Sequence, residues 1–242
     1  NYGISTTNDS GERIISTIYP VPQFLEKITF SSTAVPVDVW TALRTTDRHY
    51  GTVTQGNGRM KIVLYTIPQT NNDAWYILNS FYGTGVGDIS VDVEHQDNIT
   101  YSLPQAYVFA LDNYSPSNEP YGTRIYNSSG NLIFDTGLSL MSIKGFETLV
   151  YGSTDYNVTS SLYSSGTPAV LIPGYYREQG IAIAGTTASY IYRDQGGVKR
   201  NGSTITSKRI RTGRNFEDAI LNYTIESGAT TNITMAMDVA GY

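Results

Sequence analysis

A sixteen-residue pattern occurs twice in this chain, 119 positions apart, and it limits how the chain can fold more than any other feature. Tyr2 to Thr17 reads YGISTTNDSGERIIST and Tyr121 to Thr136 reads YGTRIYNSSGNLIFDT. Seven positions are identical without a gap, from Tyr2/Tyr121 and Gly3/Gly122 through Asn8/Asn127 to Thr17/Thr136. In the second copy Thr123, Ile125, Leu132 and Phe134 flank the cluster Asn127-Ser128-Ser129-Gly130. Two short strands around a turn whose glycine supplies a positive φ form a β-hairpin. A motif repeated near the midpoint of 242 residues predicts two units, each within the ordinary size of a domain. Asn113 to Pro120, NYSPSNEP, is polar, carries Pro116 and Pro120, and reads as the linker. The expected organisation is a β-domain in 1–112, a linker in 113–120 and a second β-domain in 121–242, two tandem β-sandwich-like domains that the repeat would make a duplicated pair.

The rest of the chain supports an all-β fold. Met60 to Ile67 (MKIVLYTI) has the Val, Ile and Tyr content of a well-buried strand, and Gln55 to Gly58 is a turn signal before it. Asp88 to His95 alternates cleanly, with Ile89, Val91 and Val93 on one side. In Phe24 to Phe30, Phe24, Ile28 and Phe30 are expected on one side. Asp73 to Phe81 reads as helix or strand equally well. Asn201-Gly202 is a favoured hairpin turn. Many short strands with turn signals at this spacing predict sandwiches or barrels.

Composition narrows the function. A net charge of −5 argues against nucleic acid, which needs a positive field. The absence of cysteine excludes disulfides and thiolate metal sites, and two histidines make a His-rich zinc site a poor expectation. No apolar run approaches a membrane span. The sequence opens on Asn1 rather than Met, which leaves room for a removed segment. Charged residues are only 15% of the chain while it holds 20 tyrosines, a balance that suits surfaces covered by neighbouring subunits.

The hairpin residues also carry a family resemblance. An aromatic-Gly pair, a short strand, Asn/Asp-x-x-Gly, an apolar residue and then Phe and Asp-Ser/Thr resembles a motif of uncharacterised bacteriophage proteins labelled tail or virion structural proteins. Here it is Tyr121-Gly122, Asn127-Ser128-Ser129-Gly130 and Phe134-Asp135-Thr136, preceded by the strand Tyr107 to Asp112. The match covers the junction of the halves and, more weakly, the start of the chain. The first copy departs from it, since Ile15-Ser16 stands where Phe134-Asp135 stands. The resemblance implies a virion protein and names no chemistry.

Several constellations qualify as candidate sites. Asp88, Asp92 and Glu94 share one strand face, which could hold calcium or act as a glycosidase pair. No EF-hand spacing accompanies them and an active pair normally comes from separate strands, so a solvated polar face is expected. Gly83-Thr84-Gly85-Val86-Gly87 precedes a strand rather than a helix and reads as a turn, not a phosphate loop. His49 with Asp47 could be written into a hydrolase triad, but no Gly-x-Ser-x-Gly elbow is present and an exposed His is expected. His95 continues the Ile89–Val93 parity toward the rim of the core.

Lys199, Arg200, Lys208, Arg209, Arg211 and Arg214 concentrate positive charge in an otherwise acidic chain. They read as edge-protecting charges on an exposed hairpin, or as the contact with an acidic neighbour subunit or with lipopolysaccharide phosphates. Arg209 and Arg211 are expected on one face with Ile210 on the other. Trp75 and Tyr76 are the aromatics that would face a receptor.

The functional expectation is a non-enzymatic virion structural protein of the tail, baseplate or fibre attachment, acting through subunit packing without cofactor or metal. Its partners would be other virion proteins and copies of itself, with no nucleic acid and no membrane insertion. The alternatives are a carbohydrate- or receptor-binding adhesin module on host surface glycan, a capsid decoration protein and, third, a polysaccharide depolymerase.

Overall fold

The structure, a computed structural model, describes residues 5–7, 13–16, 21–37, 44–69, 73–78, 82–83, 85–96, 99–111, 116–139, 141, 143–150, 156–159, 168–171, 176–202, 204–227 and 231–239. All regular structure among them is β. The opening hairpin is β1 (Ser5–Thr7) and β2 (Arg13–Ser16). The first half continues with β3 (Gln23–Thr29), β4 (Val35–Val37), β5 (Arg44–Val53), β6 (Lys61–Thr66), β7 (Trp75–Leu78), β8 (Tyr82–Gly83), β9 (Gly87–Gln96) and β10 (Gln105–Ala110). The second half opens with the hairpin β11 (Arg124–Tyr126) and β12 (Leu132–Asp135). There follow β13 (Ile143–Val150), β14 (Tyr156–Thr159), β15 (Pro168–Leu171), β16 (Tyr176–Ala182), β17 (Ser189–Asn201), β18 (Thr204–Glu217), β19 (Tyr223–Ser227) and β20 (Thr231–Asp238).

The repeat survives in the backbone. Ser5 pairs with Ser16, Thr6 with Ile15 and Thr7 with Arg13, with a bulge after Thr6. Adding 119 to each number gives the observed pairs of the second hairpin, Arg124 with Asp135, Ile125 with Phe134 and Tyr126 with Leu132, with the bulge after Ile125. The first turn, Asn8 to Gly11, lies outside the described residues. In the second turn the Asn127 Oδ1 accepts from the amides of Ser129 and Asn131 at 3.0 and 2.9 Å, and Gly130 takes φ 82°. The Asx side chain and the left-handed glycine are what this turn needs.

Two large sheets hold most other strands. Sheet I runs β13-β20-β15-β6-β10-β3, with β8 on β6; sheet II runs β14-β18-β17-β7-β9-β5-β4, with β16 on β17 and β19 on β16. Leaving out β4, β8, β16 and β19, both halves visit the sheets in one order: I, II, I, II, II, I. The neighbours match too. β3-β10-β6 corresponds to β13-β20-β15, and β5-β9-β7 to β14-β18-β17. The halves meet edge to edge, at Tyr65 with Val170 between β6 and β15, and at Tyr76 with Val198 between β7 and β17.

The expected boundary at 113–120 therefore separates two equivalent sets of strands without separating two pairs of sheets. Residues 113–115 of that linker lie outside the described residues. The physical reason for the shared sheets lies in β6 and β7. Lys61 to Tyr65 and Trp75 to Leu78 are buried on both faces. Strands so apolar make hazardous sheet edges, and β15 and β17 cover them.

The main core lies between the sheets. Sheet I contributes Ile28, Val63, Tyr65, Val108 and Val170; sheet II contributes Val53, Tyr76, Val91, Val93, Val198 and Ile205. The other face of sheet I buries Ile62, Leu64, Tyr107, Phe109 and Ala169 with Phe24. A bulge separates the pairs Val108–Glu26 and Phe109–Phe24, leaving Leu25 as the extra residue. Phe24 thus turns away from Ile28 and Phe30, which corrects the expectation that the three share a side. Within the ambiguous stretch at 73–81, Trp75–Leu78 form β7, because both faces pack: Tyr76 and Leu78 inward, Trp75 and Ile77 outward; residues 79–81 lie outside the described residues.

Candidate interaction surface

The basic residues cluster on an element that, among the described residues, only the second half possesses. β17 and β18 form a long hairpin through Asn201 and Gly202, which takes φ 60°. β17 lies beside β7 at Val198, but its Ser189 to Gln195 portion pairs with β16 instead. β16 in turn pairs with β19. The hairpin therefore runs on from sheet II into a four-stranded arm, β18-β17-β16-β19.

The arm has polar networks of its own. On one face Arg193 Nε donates to Glu178 Oε2 at 2.8 Å and the Tyr223 hydroxyl donates to Glu178 Oε1 at 2.8 Å. The Tyr223 ring lies over Gly180, where any Cβ would come within 2.7 Å of it. Ile191, opposite Gly180, is buried. On the other face Tyr190 and Tyr192 have ring centroids 6.1 Å apart, and the Arg211 guanidinium lies 4.2 Å above Tyr192. That stacking holds Arg211 while leaving it charged.

Arg209 and Arg211 converge on Asp194. Arg211 Nε donates to Oδ1 at 2.8 Å, and Arg209 Nε stands 3.9 Å from Oδ2. The Asp194 carboxylate is buried, whereas both arginines are partly exposed. One buried acid is thus shared by two guanidinium groups. Ile210 points the other way, into a small cluster with Trp75 and Ile77.

Lys199 and Lys208 reach the same Trp75, with Nζ 4.4 and 4.0 Å from the ring centroid. Arg200 Nε donates to the Gly202 carbonyl at 3.0 Å, and its Nη1 to the Ile67 carbonyl at 3.4 Å. Gln69 closes the contact, its Oε1 accepting from the Gly202 amide at 2.8 Å. The hairpin turn is thereby tied to the first half. Arg214 stands opposite Tyr192 in register, and its side chain lies outside the described residues.

Trp75 and Tyr76 do not face a receptor: both are 0% exposed. Trp75 Nε1 donates to Asp73 Oδ1 at 3.0 Å, and the ring is covered by Ile77, Ile210 and the two lysines. Tyr76 donates to the Ser102 carbonyl at 2.8 Å, and burial pushes its phenol up to about 12. A sequence gives an aromatic on a strand but not its cover; here the cover comes from more than a hundred positions away.

The carboxylate row is likewise not a solvated face. Asp92 is buried and takes a bidentate bond from Arg48, both contacts 2.7 Å. Glu94 is buried, and only Asp88 is exposed, accepting from Thr52 Oγ1 at 2.7 Å. Among the described residues no group of three or more His, Asp or Glu is arranged to hold a metal ion.

Both histidines are buried in one network, contrary to the exposed His49 expected. The Tyr101 hydroxyl donates to Asp47 Oδ2 at 2.7 Å, and His95 Nε2 lies 3.1 Å from the same oxygen. His49 Nε2 lies 2.9 Å from the Tyr101 oxygen, and its Nδ1 2.8 Å from the Ser31 carbonyl. Burial pushes the Asp47 carboxyl up, but the bonds from Tyr101 and His95 outweigh it and hold it below its ordinary value. Burial first, then the bond to Asp47, pushes the Tyr101 phenol up. The two nitrogens of His49 are occupied by a carbonyl and a phenol rather than a serine hydroxyl. The network ties the Ser31 turn, β5, β9 and the Tyr101 segment together at the rim of the core.

The hairpin motif is built into backbone architecture. Buried Asp135 accepts from the amides of Ser117 and Gly137, both at 2.8 Å, and from Arg124 Nε at 3.0 Å. Burial alone would raise this carboxyl; the amides, the Ser117 hydroxyl and Arg124 overcome it and hold it at about 2. Gly122 takes φ 145°, and a Cβ there would run into Thr136 Oγ1. Thr136 Oγ1 in turn accepts from the Thr123 amide at 2.8 Å. Beside this knot lies an open cleft of about 430 Å³, with Gln23, Arg59, Ser117 and Glu119 in its lining. A glycosidase of the common kind uses two carboxyl groups; among the described residues the lining holds one, Glu119. No family model, curated protein or solved structure matches the chain.

Proposed function

We propose that this chain is a structural protein of a bacteriophage virion, of the tail, baseplate or fibre attachment, working by subunit packing rather than catalysis. The observation that carries the reading is the arm. It carries arginines that share one buried carboxylate, and it exposes Ile181 on one face, Ile225 on the other and Ile220 in the β18–β19 connection, 42%, 55% and 67% exposed. A projecting element that shows arginine and aliphatic side chains on both faces is one that protein neighbours cover. The resemblance in Tyr121 to Thr136 supports the same reading, since its Asp, Gly and Asn residues build a scaffold. Mass spectrometry and antibody labelling of purified particles test it. Stoichiometric presence with label at the tail is expected; absence from particles, or turnover of host polysaccharide by the chain, would overturn it.

A further inference from the structure

The two buried histidines belong to a chain of polar groups whose hydrogens can be counted. It runs from the Ser31 carbonyl through His49, Tyr101, Asp47 and His95 to the Gln96 carbonyl, in five links of 2.8, 2.9, 2.7, 3.1 and 2.7 Å. Every link needs one hydrogen between its two heavy atoms, and the carbonyls at the ends only accept. Burial raises the Asp47 carboxyl, but the bonds from Tyr101 and His95 outweigh it and keep it a carboxylate. Burial, then the bond to Asp47, keeps the Tyr101 phenol protonated. With both imidazoles neutral the set then supplies three hydrogens, one from each ring and one from the phenol. Three hydrogens do not make five links, whichever tautomers the rings adopt. The two that are missing fit on the rings, each of which aims both nitrogens at an oxygen.

We infer that these four side chains form an acid-closed clasp, complete when both rings are imidazolium and losing one link with each proton that leaves. The clasp is independent of the packing role proposed above. What it holds is set by the fold. Ser31 follows β3 of sheet I, Asp47 and His49 lie on β5 and His95 on β9 of sheet II, and Tyr101 precedes β10. Closing it ties the two sheets together at the rim of the main core. Both rings are buried, so a link without its hydrogen sets two lone pairs face to face where little water can part them. Among the described residues the titratable groups facing the rings are Asp47, Tyr101 and, behind it, Tyr76 of β7, whose hydroxyl donates to Ser102. From the turn after β3 comes the Ser31 carbonyl. Arg48, Asp92 and Glu94 alternate to the other face of sheet II. His95 touches the carboxylate directly, whereas His49 reaches it through Tyr101, so the link from His49 to Tyr101 opens first as pH rises. Folding takes up protons, and the stabilisation is therefore full in acid and lost as pH rises beyond the histidine range.

NMR of the histidine ring nitrogens tests this on the full chain, with Tyr101→Phe beside the wild type. At about pH 7, where a free histidine is mostly neutral, the wild type should show both nitrogens of both rings protonated, and His49 should lose one by about pH 9. Tyr101→Phe keeps the ring that fills the site but removes two links and one hydrogen. Its His49 needs only the Nδ1 hydrogen for Ser31 and should be neutral at about pH 7. In urea unfolding the wild-type advantage over Tyr101→Phe should shrink by up to about tenfold in the folding constant per pH unit above about pH 7. Exchange of the Ser31 and Tyr101 amides, corrected for the intrinsic rate, should quicken over the same range. A neutral ring in the wild type at about pH 7, an imidazolium at His49 in Tyr101→Phe at that pH, or ring titration with a constant wild-type advantage would overturn the inference.

Discussion

The two halves of the chain lay out the same six strands, yet among the described residues only the second carries an arm. In the first half β7 is four residues long and β9 ten; their counterparts β17 and β18 run to thirteen and fourteen. The extra length leaves the sheet and recruits β16 and β19. The seam contacts, Tyr65 with Val170 and Tyr76 with Val198, lie in the strands the halves have in common. An element can thus be added at one end of a repeated strand layout while the seams stay in the strands the halves share. The hairpins teach the same lesson on a smaller scale. Their registers and bulges coincide, but the second has Arg124 and Asp135 where the first has Ser5 and Ser16. Only the second hairpin therefore makes the buried carboxylate knot that pins 116–120 in place.

The largest effect is expected at the seam. Trp75→Ala removes a fully buried ring that joins Ile77 of the first half to Ile210 of the second, and should cost about 3–5 kcal/mol in urea unfolding. If the halves were independent, the loss would appear in one of two transitions rather than in a single one. Next comes the knot. Asp135→Ala leaves two amides and Arg124 without their acceptor and should cost about 1–3 kcal/mol, whereas Ser16→Ala should stay within about 0.5 kcal/mol. Equal costs for the two would dissolve the contrast between the hairpins.

The same carboxylate gives a pH dependence with a definite sign. Its folded value of about 2 lies below the ordinary aspartate value, near 3.9. The stabilisation is therefore complete above the ordinary value and is lost as pH falls through the folded one. The stability gap between wild type and Asp135→Asn should shrink from about pH 4 to about pH 2; a gap constant over that window would show that Asp135 is not held as a carboxylate. Gly122→Ala should cost about 1–2 kcal/mol, because φ 145° is strained for alanine and the methyl meets Thr136. The smallest effect is expected at Lys199→Ala, about 0.5–1 kcal/mol from one ammonium over Trp75.

What could be read from the residues was local. The hairpins, the turns at Gly56 and Gly202 and the inward row Ile89, Val91 and Val93 follow from patterns within a few positions. The contacts that escaped join distant positions. Trp75 is covered from Lys199, Lys208 and Ile210, and Asp92 is neutralised from Arg48. Asp47, His95 and Tyr101 meet only because β5 and β9 are neighbours. The duplication was visible only in the hairpin, because the offset of 119 drifts beyond it. From Lys61 to Pro168, the starts of β6 and β15, it is 107; from Gln105 to Thr231, the starts of β10 and β20, it is 126. The second half is shorter than the first up to β15 and longer after it, where the arm is inserted, while strand order persists.

Native-state hydrogen exchange tests most directly whether the two halves form one body with an added arm. Amides along the seams, in β6, β15, β7 and β17 near Val198, should exchange only through global unfolding, while those of β16 and β19 should exchange earlier through opening of the arm. Two separate global levels, one for residues 1–112 and one for 121–242, with unprotected seam amides between them, would contradict it.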